Sequence, residues 1–234
     1  MLSIVIPVLN ESFNLPKLLS HIADNAEQPD YLEIIIVDGG SSDNTLELAE
    51  AFKNSSQLTI KVISSERGRA KQMNAGAKNS NGSVLYFLHA DSYPPKNFDT
   101  YIMQEVKNGN PAGCFKMRFN SNHFWLKLAG YLTKFSWRAS RGGDQSQFIT
   151  RNLFNEIGGY DESYIIYEDN ILINELYARK KFVVIQQPIL SSARMYEKHG
   201  VWVVQYHFWS IYVKKWMGAS AEELHKYYCE KLKK

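Results

Sequence analysis

Val84-Leu85-Tyr86-Phe87-Leu88-His89-Ala90-Asp91 is an apolar run of strand length that ends in a histidine and an aspartate two positions apart. Side chains alternate along an extended strand, so His89 and Asp91 are expected on one side, with Ala90 on the other. Open α/β sheets take their ligands outside the carboxyl ends of their strands. A carboxylate placed there can hold a hard divalent cation against a phosphate. The local alternative is an aspartate that opens the turn at Ser92-Tyr93-Pro94-Pro95. The rest of the chain decides between the two.

Upstream, Leu2–Val8 is a β-branched apolar run closed by Pro7, the pattern of a buried parallel strand. A helix follows, with Asn14 placed to cap it, Pro16 near its first turn, and Leu15, Leu18, Leu19 and Ile22 on one face. Glu33–Val37 is a second strand, which stops at Asp38-Gly39-Gly40-Ser41-Ser42-Asp43. Asp43 is placed to cap a helix whose Leu46, Ala49 and Phe52 face inward, and Thr59–Ile63 supplies a third strand. Arg67-Gly68-Arg69-Ala70 opens another helix, with Ala70, Met73 and Ala77 as its apolar side, before the fourth strand at Val84–Leu88. This order is a doubly wound half-domain. Parallel strands present their carboxyl ends to one edge, so Asn10-Glu11, Asp38, Arg67–Arg69 and Asp91 are expected to converge there.

At 234 residues the chain is one large domain, or one domain with a C-terminal extension. A net charge of only +3 gives no global attraction to nucleic acid. Cys114 and Cys229 stand far apart and match neither a disulfide framework nor a zinc pattern, which fits a reducing compartment. No basic segment precedes the first apolar run, and no uninterrupted apolar segment is long enough to span a bilayer, so the expectation is a cytoplasmic protein. In that setting the Asn-x-Ser triplets at Asn10, Asn54 and Asn81 are chance matches.

Three segments carry a resemblance: Ile4-Val5-Ile6-Pro7-Val8-Leu9-Asn10-Glu11, Ile36-Val37-Asp38-Gly39-Gly40-Ser41-Ser42-Asp43-Asn44-Thr45, and His89-Ala90-Asp91. Together they resemble the family 2 glycosyltransferases. More narrowly, Gly68–Gly76, Arg141-Gly142-Gly143-Asp144-Gln145, Tyr167-Glu168-Asp169, Ser192-Ala193-Arg194 and His199-Gly200-Val201-Trp202 resemble one bacterial subgroup. That subgroup is associated with radical-SAM/selenodomain and arsenosugar biosynthesis clusters. The resemblance implies a GT-A fold, that is, a Rossmann-like, mainly parallel sheet flanked by helices, here with a C-terminal helical extension. Residues 1–110 would form the donor half, 111–199 the acceptor and catalytic half, and 200–234 a set of aromatic and basic helices.

The resemblance also implies a nucleotide diphosphate sugar as donor, most often a uridine one. Asp38 resembles the carboxylate that accepts a hydrogen bond from the base. Asn10 and Glu11 would line base or ribose, although helix capping competes for Asn10. Arg67 and Arg69 sit at a helix head, where N–H groups and guanidinium charge favour a pyrophosphate. Pro7, Ser41, Gln72, Asn74, Asp144 and Gln145 complete the implied donor set, with a turn-forming role as the alternative for Asp144.

Family members commonly carry two aspartates around one residue, and here His89 replaces the first while Asp91 keeps the second, metal-touching place. The implied cofactor is Mn2+ or Mg2+. A direct contact from the His89 imidazole would favour manganese; the alternative is a histidine behind the ligands, packed under the loop.

In the second half, Cys114–Phe119 alternates like a strand, and His123–Trp137 reads as a helix dense in Phe124, Trp125, Leu128, Leu132 and Phe135. This half is expected to bind the acceptor, and from Lys116 to Arg151 there are seven Lys or Arg residues against one acid, Asp144. Ser146–Thr150 reads as a strand, and Glu168-Asp169 opens a helix with Leu172, Ile173 and Leu176 as its buried stripe.

Inverting transfer needs a base for the acceptor hydroxyl. Asp169 resembles it, with Glu168 the weaker candidate; capping explains Asp169 equally well on local grounds. The helix dipole and desolvation pull its pKa in opposite directions. After a strand at Phe182–Ile185 and a Pro188 turn, Arg194 and His199 are placed to reach the diphosphate from a mobile lid. The processive members' Gln-x-x-Arg-Trp signature is missing, which points to single transfer.

Val201–Trp216 reads as a helix crowded with aromatics and ending in Lys214-Lys215. It is either packed on the core or peripheral on anionic lipid at the inner face of the cell membrane. A catalytically silent module that binds nucleotide sugar or a membrane surface is the non-enzymatic alternative. A sugar-phosphate nucleotidyltransferase shares much of the fold but usually carries a glycine-rich, arginine-containing loop after strand one. A small molecule, a lipid-linked acceptor and a glycan all stay open as the acceptor.

Overall fold

The computed structural model describes residues 1–232; the last two positions of the expected extension, 233 and 234, lie outside the described residues. Seven buried residues, apolar apart from Ser3, form β1 (Leu2–Val8), flanked by the parallel strands β2 (Leu32–Asp38) and β4 (Val84–Phe87), with β3 (Thr59–Ser64) parallel outside β2. Beyond β4 the sheet changes direction. β7 (Gln147–Thr150) is antiparallel to β4, and β6 (Ala112–Phe119) is antiparallel to β7. β8 (Val183–Ser191) runs parallel to β6, and β5 (Ser92–Tyr93) closes the edge antiparallel to β8. The two expected halves therefore share one sheet of eight strands, in the order β3-β2-β1-β4-β7-β6-β8-β5.

The central strands read as continuous apolar runs because both faces are covered. Ile4, Ile6 and Val8 meet α1 (Leu15–Asn25), Ala49 of α2 (Thr45–Ser55), and Phe98 and Ile102 of α4 (Phe98–Lys107). On the other face Val5, Ile35 and Val37 meet α3 (Arg69–Lys78), α6 (Arg151–Ile157) and α7 (Glu168–Ala178). α3 lies close against the sheet because Gly76 has no side chain: a Cβ there would come 2.3 Å from Cγ1 of Val5. α5 (Phe124–Leu132), α8 (Arg194–His199), α9 (Val201–Trp216) and α10 (Ala221–Leu232) lie in the second half of the chain.

Several expectations change. The helix expected over His123–Trp137 ends at Leu132, because Thr133 Oγ1 donates to Gly130 O (2.6 Å) and accepts from Met117 N (2.7 Å), turning the chain onto β6. The strand expected to stop at Ile185 continues to Ser191, with Pro188 opposite a register shift between Phe115 and Lys116, where a missing N–H is tolerated. Leu46 faces solvent rather than the core, since α2 buries Thr45 and Ala49 instead. Asn14 stands at the start of α1, but its amide donates to Glu11 Oε2 (2.5 Å) and caps no helix N–H. Among the described residues no helix is long and apolar enough to cross a membrane.

Candidate active site

β1, β2, β3 and β4 point their carboxyl ends the same way; Arg69 at the head of α3 and Asp91 after β4 line a cleft of about 1170 Å³, while the Asn10 and Asp38 turns lie outside its lining. The opposite wall comes from α8, α9 and α10, including Phe208, Tyr212 and Tyr228.

At the β2 end, Asp38 is buried and accepts hydrogen bonds from Gly40 N (3.0 Å) and from Ser41 N (3.0 Å) and Oγ (2.5 Å). Asn10, at φ 57°, joins the β1 loop to this turn: its N–H donates to Ser41 Oγ (2.9 Å), and its Oδ1 accepts from Ser42 N (2.8 Å). Asp43 accepts from the Thr45 hydroxyl (2.5 Å) and from Thr45 N and Ser12 N, and hydrogen bonding led by the Thr45 and then the Ser12 side chain lowers its carboxyl to about 2. Asp38, Ser41 and Asn10 thus form one preorganised turn, and Pro7 lies buried one strand-step behind it.

Two members of the implied donor set are fully engaged below the surface. The buried Gln72 amide donates to Val8 O and Val37 O, both 2.8 Å away, and so ties the ends of β1 and β2 together. Asn74 bonds both backbone groups of Tyr160 and Oε1 of Glu162, anchoring a distant loop to α3.

β4 ends at Phe87, earlier than the expected Leu88, and residues 88–91 turn, with Ser92 N donating to His89 O (3.1 Å). The strand alternation expected for His89 and Asp91 therefore does not apply. His89 is largely buried with Nδ1 4.0 Å from Asp144 Oδ1, and burial, followed by the nearby Arg69 charge, lowers its pKa. Asp91 borders the cleft and pairs with Arg194, whose Nη2 lies 3.1 Å from Asp91 Oδ2 and 3.6 Å from Glu11 Oε1. The pairing of β5 with the end of β8, Ser92 opposite Ser191, carries Arg194 to this position. Asp144 and His199 also line the cleft.

No group of three or more His, Cys, Asp or Glu side chains able to hold a metal occurs among the described residues. Magnesium is commonly held by one or two carboxylates together with substrate phosphates. Asp91 fits a cation shared with a diphosphate in that way, and a protein-only cage does not fit.

The carboxylate pair at the head of α7 is the most unusual feature. Tyr167, at φ 72°, holds a left-handed conformation just before it, of the kind that concentrates at functional sites. Glu168 is fully buried and lies 2.9 Å from Arg69 Nε in an ion pair without hydrogen-bond geometry; neither of its carboxylate oxygens has a hydrogen-bond partner among the described residues. Desolvation pushes Glu168 up to about 7 and Asp169 up to about 6, outweighing the partly compensating Arg69 charge. Arg69 is in turn raised, chiefly by Glu168. Asp169 and Arg69 both line the cleft, whereas Arg67 is exposed in the loop ahead of α3 and does not.

The 141–145 turn is built from inside. Buried Arg141 donates to Gln145 Oε1 (2.7 Å) and Phe135 O (2.6 Å), and Gln145 donates to Ser140 O (2.6 Å). Gln145 lines the cleft beside Asp144 with its amide already held by these bonds.

Residues 3–172 match the family model described as glycosyl transferase family 2. The chain belongs to this family. The PGL/p-HBAD biosynthesis glycosyltransferase of Mycobacterium bovis is 38% identical over 180 residues, which cover 72% of this chain and 66% of that protein. The dolichol-phosphate mannosyltransferase of Pyrococcus furiosus is 36% identical over 110 residues, 46% of this chain and 30% of the relative. Among solved structures, the mannosyltransferase PcManGT from Pyrobaculum calidifontis, in complex with GDP-Man and Mn2+, aligns with a TM-score of 0.70 at 17% identity. That alignment covers 97% of this chain and 69% of the other and establishes the GT-A fold. The chain spans 31%, 30% and 46% of the lengths of three of its curated relatives.

Sequence reasoning missed much of the far wall. Trp209, Tyr212 and Tyr228 line the cleft, and the Tyr212 hydroxyl donates to Arg141 O and Asn170 Oδ1, both at 3.3 Å. The aromatic run in α9 signals a helix but not which of its rings turn inward. Tyr228 lies on a helix with no local motif.

Proposed function

We propose that this glycosyltransferase moves a sugar from a nucleotide diphosphate sugar, most often a UDP-sugar, to a hydroxyl acceptor with inversion at the anomeric carbon. The observation that carries the reading is the desolvated Asp169 on the wall of the same cleft that Asp91 borders. The acceptor oxygen attacks the anomeric carbon while Asp169 takes its proton, and the bond to the diphosphate breaks on the opposite face. Asp38 and Asn10 hold the nucleoside. Arg69 and Arg194 present positive charge to the leaving diphosphate, with Glu11 and His199 beside them. Glu168 orients Arg69 and is the secondary candidate for base. Asp91 would hold the divalent cation, Mn2+ or Mg2+, whose chemistry is to neutralise the leaving diphosphate. The finer resemblance, to the radical-SAM/selenodomain and arsenosugar subgroup, rests on the Gly68–Gly76 and Arg141–Gln145 segments and is part of this proposal.

The test is thermal unfolding with UDP, GDP, TDP, CMP or ADP, each with manganese, magnesium or EDTA. A ligand selective for the folded state raises the unfolding temperature by mass action. Stabilisation by UDP that requires manganese supports the assigned roles, and the GDP-Man complex of PcManGT makes GDP the informative competitor. Asp169→Asn should keep that stabilisation and lose transfer by about 10²- to 10⁴-fold. A second reading, a silent binding module, is favoured by His89 in the metal motif and by the Arg194 pairing of Asp91. It predicts nucleotide binding without turnover in either protein. No response to any nucleotide would overturn both.

A further inference from the structure

The outer face of α9 carries an aromatic stripe that the transfer reaction does not use. Trp202, Tyr206, Trp209, Val213 and Trp216 recur at spacings of four and three, so they share one side of the helix, and each is more than half exposed. The opposite side buries Val204 and Ile211. The helix is thus apolar on both faces, with one of them unpartnered. Trp125 of α5 packs on Trp202 (5.3 Å between ring centroids) and Trp209 (6.1 Å), which extends the patch to Phe124, 77% exposed. An exposed apolar patch of this kind marks an interaction surface.

Charge selects the partner. No Asp or Glu occurs from residue 198 to 221 or from residue 106 to 143, while Lys127 lies on α5, Lys134 just beyond its end, and Lys214 and Lys215 in the last turn of α9, where they rest on Tyr227 and Tyr164. Lys127 and Lys134 join Lys116 and Arg118 along a groove of about 1000 Å³ beside α5 in which Glu197 is the one acid. Two copies meeting through this face would bring these cations together with no acid on the stripe to pair them.

We propose that the α5–α9 face docks on an anionic phospholipid surface. Trp and Tyr seat at the headgroup level and Lys or Arg neighbours meet lipid phosphates. Trp125, Trp209 and Val213 also line the large cleft, so its rim lies on the docked face. An acceptor held in the lipid surface would reach the cleft without leaving it. The docking itself does not depend on the chemistry proposed above.

The test is co-sedimentation of the full chain with vesicles of phosphatidylcholine alone or an equimolar mixture with phosphatidylglycerol. Binding to the mixed vesicles at least about tenfold above the neutral ones, weakened by salt, is expected. In Tyr206→Ser/Trp216→Ser it should fall by about tenfold or more with an unchanged unfolding temperature, since both rings stand in solvent. Quenching of tryptophan fluorescence by brominated lipid in the unaltered chain is the readout independent of any variant. Equal binding to both vesicles, no binding to either, or a dimer that the double substitution dissolves would overturn the proposal.

Discussion

Nη2 of Arg194 stands 3.1 Å from Oδ2 of Asp91, so α8 closes over the carboxylate at the β4 turn. An exposed ion pair of this kind contributes about 0 to 1 kcal/mol, and Arg194 is 59% exposed. The guanidinium therefore competes weakly with a cation for Asp91 and is free to turn toward a diphosphate. Arg194→Ala should bind Mn2+ up to about fivefold tighter without nucleotide, measured by the paramagnetic resonance of free Mn2+. In calorimetry the same variant should bind UDP more weakly. Unchanged manganese affinity would separate Arg194 from the cation.

Asp169 acts as a base only when ionised, and desolvation raises it to about 6. The rate of transfer should rise about tenfold per pH unit below that value and level off above it. The measurement is kcat/KM from about pH 5 to about pH 8 at fixed ionic strength. A profile flat through that interval would exclude Asp169 as the group whose proton is taken.

Glu168 carries the opposite consequence for stability. Its folded pKa, about 7, lies above the ordinary value, and desolvation is the first cause. Its contribution is fully present below the unfolded pKa of about 4.3 and is lost as pH rises through about 7. Urea unfolding of Glu168→Gln should therefore show a flatter pH dependence than the unaltered protein across this interval. The difference should be on the order of 3 to 4 kcal/mol, with the lowering by Arg69 already contained in that shift. Parallel curves would mean that Arg69 fully compensates the buried charge.

The strands were legible because β1, β2 and β4 are buried on both faces and read as nearly continuous apolar runs, broken by Ser3 and Glu33, which bond to each other. Helix α9 was legible to the residue, but the split between its buried and exposed aromatics was not, since rings on both faces erase the amphipathic period. The turn after Phe87 was hidden because Leu88 is as apolar as the strand before it and still donates its N–H to Val5 O (3.0 Å) on β1. Arg69 and Glu168 are far apart in the chain, and only the packing of α3 and α7 on one face of the sheet brings them to 2.9 Å. Gln72 and Asn74 stood in a motif that resembles a donor site, whereas their amides are engaged by backbone carbonyls. No local sequence signal separates a side chain that touches ligand from one that holds the loop that does.

Gln72 gives that distinction a measurable form. Its amide lies beneath the turn carrying Asp38, where Gly39 N also donates to Val8 O (3.0 Å) and a Cβ at Gly39 would meet the Gln72 amide at 3.0 Å. Gln72→Met conserves bulk but leaves the Val8 and Val37 carbonyls without this donor, a loss of about 1 to 3 kcal/mol read by urea unfolding. Nucleotide affinity should fall less than in Asp38→Ala, because the turn keeps the hydrogen bonds from Gly40 N and Ser41 to Asp38. The reverse pattern, unchanged stability with binding abolished, would place the Gln72 amide on the nucleotide itself and require β1 and β2 to be held together by their ladder alone.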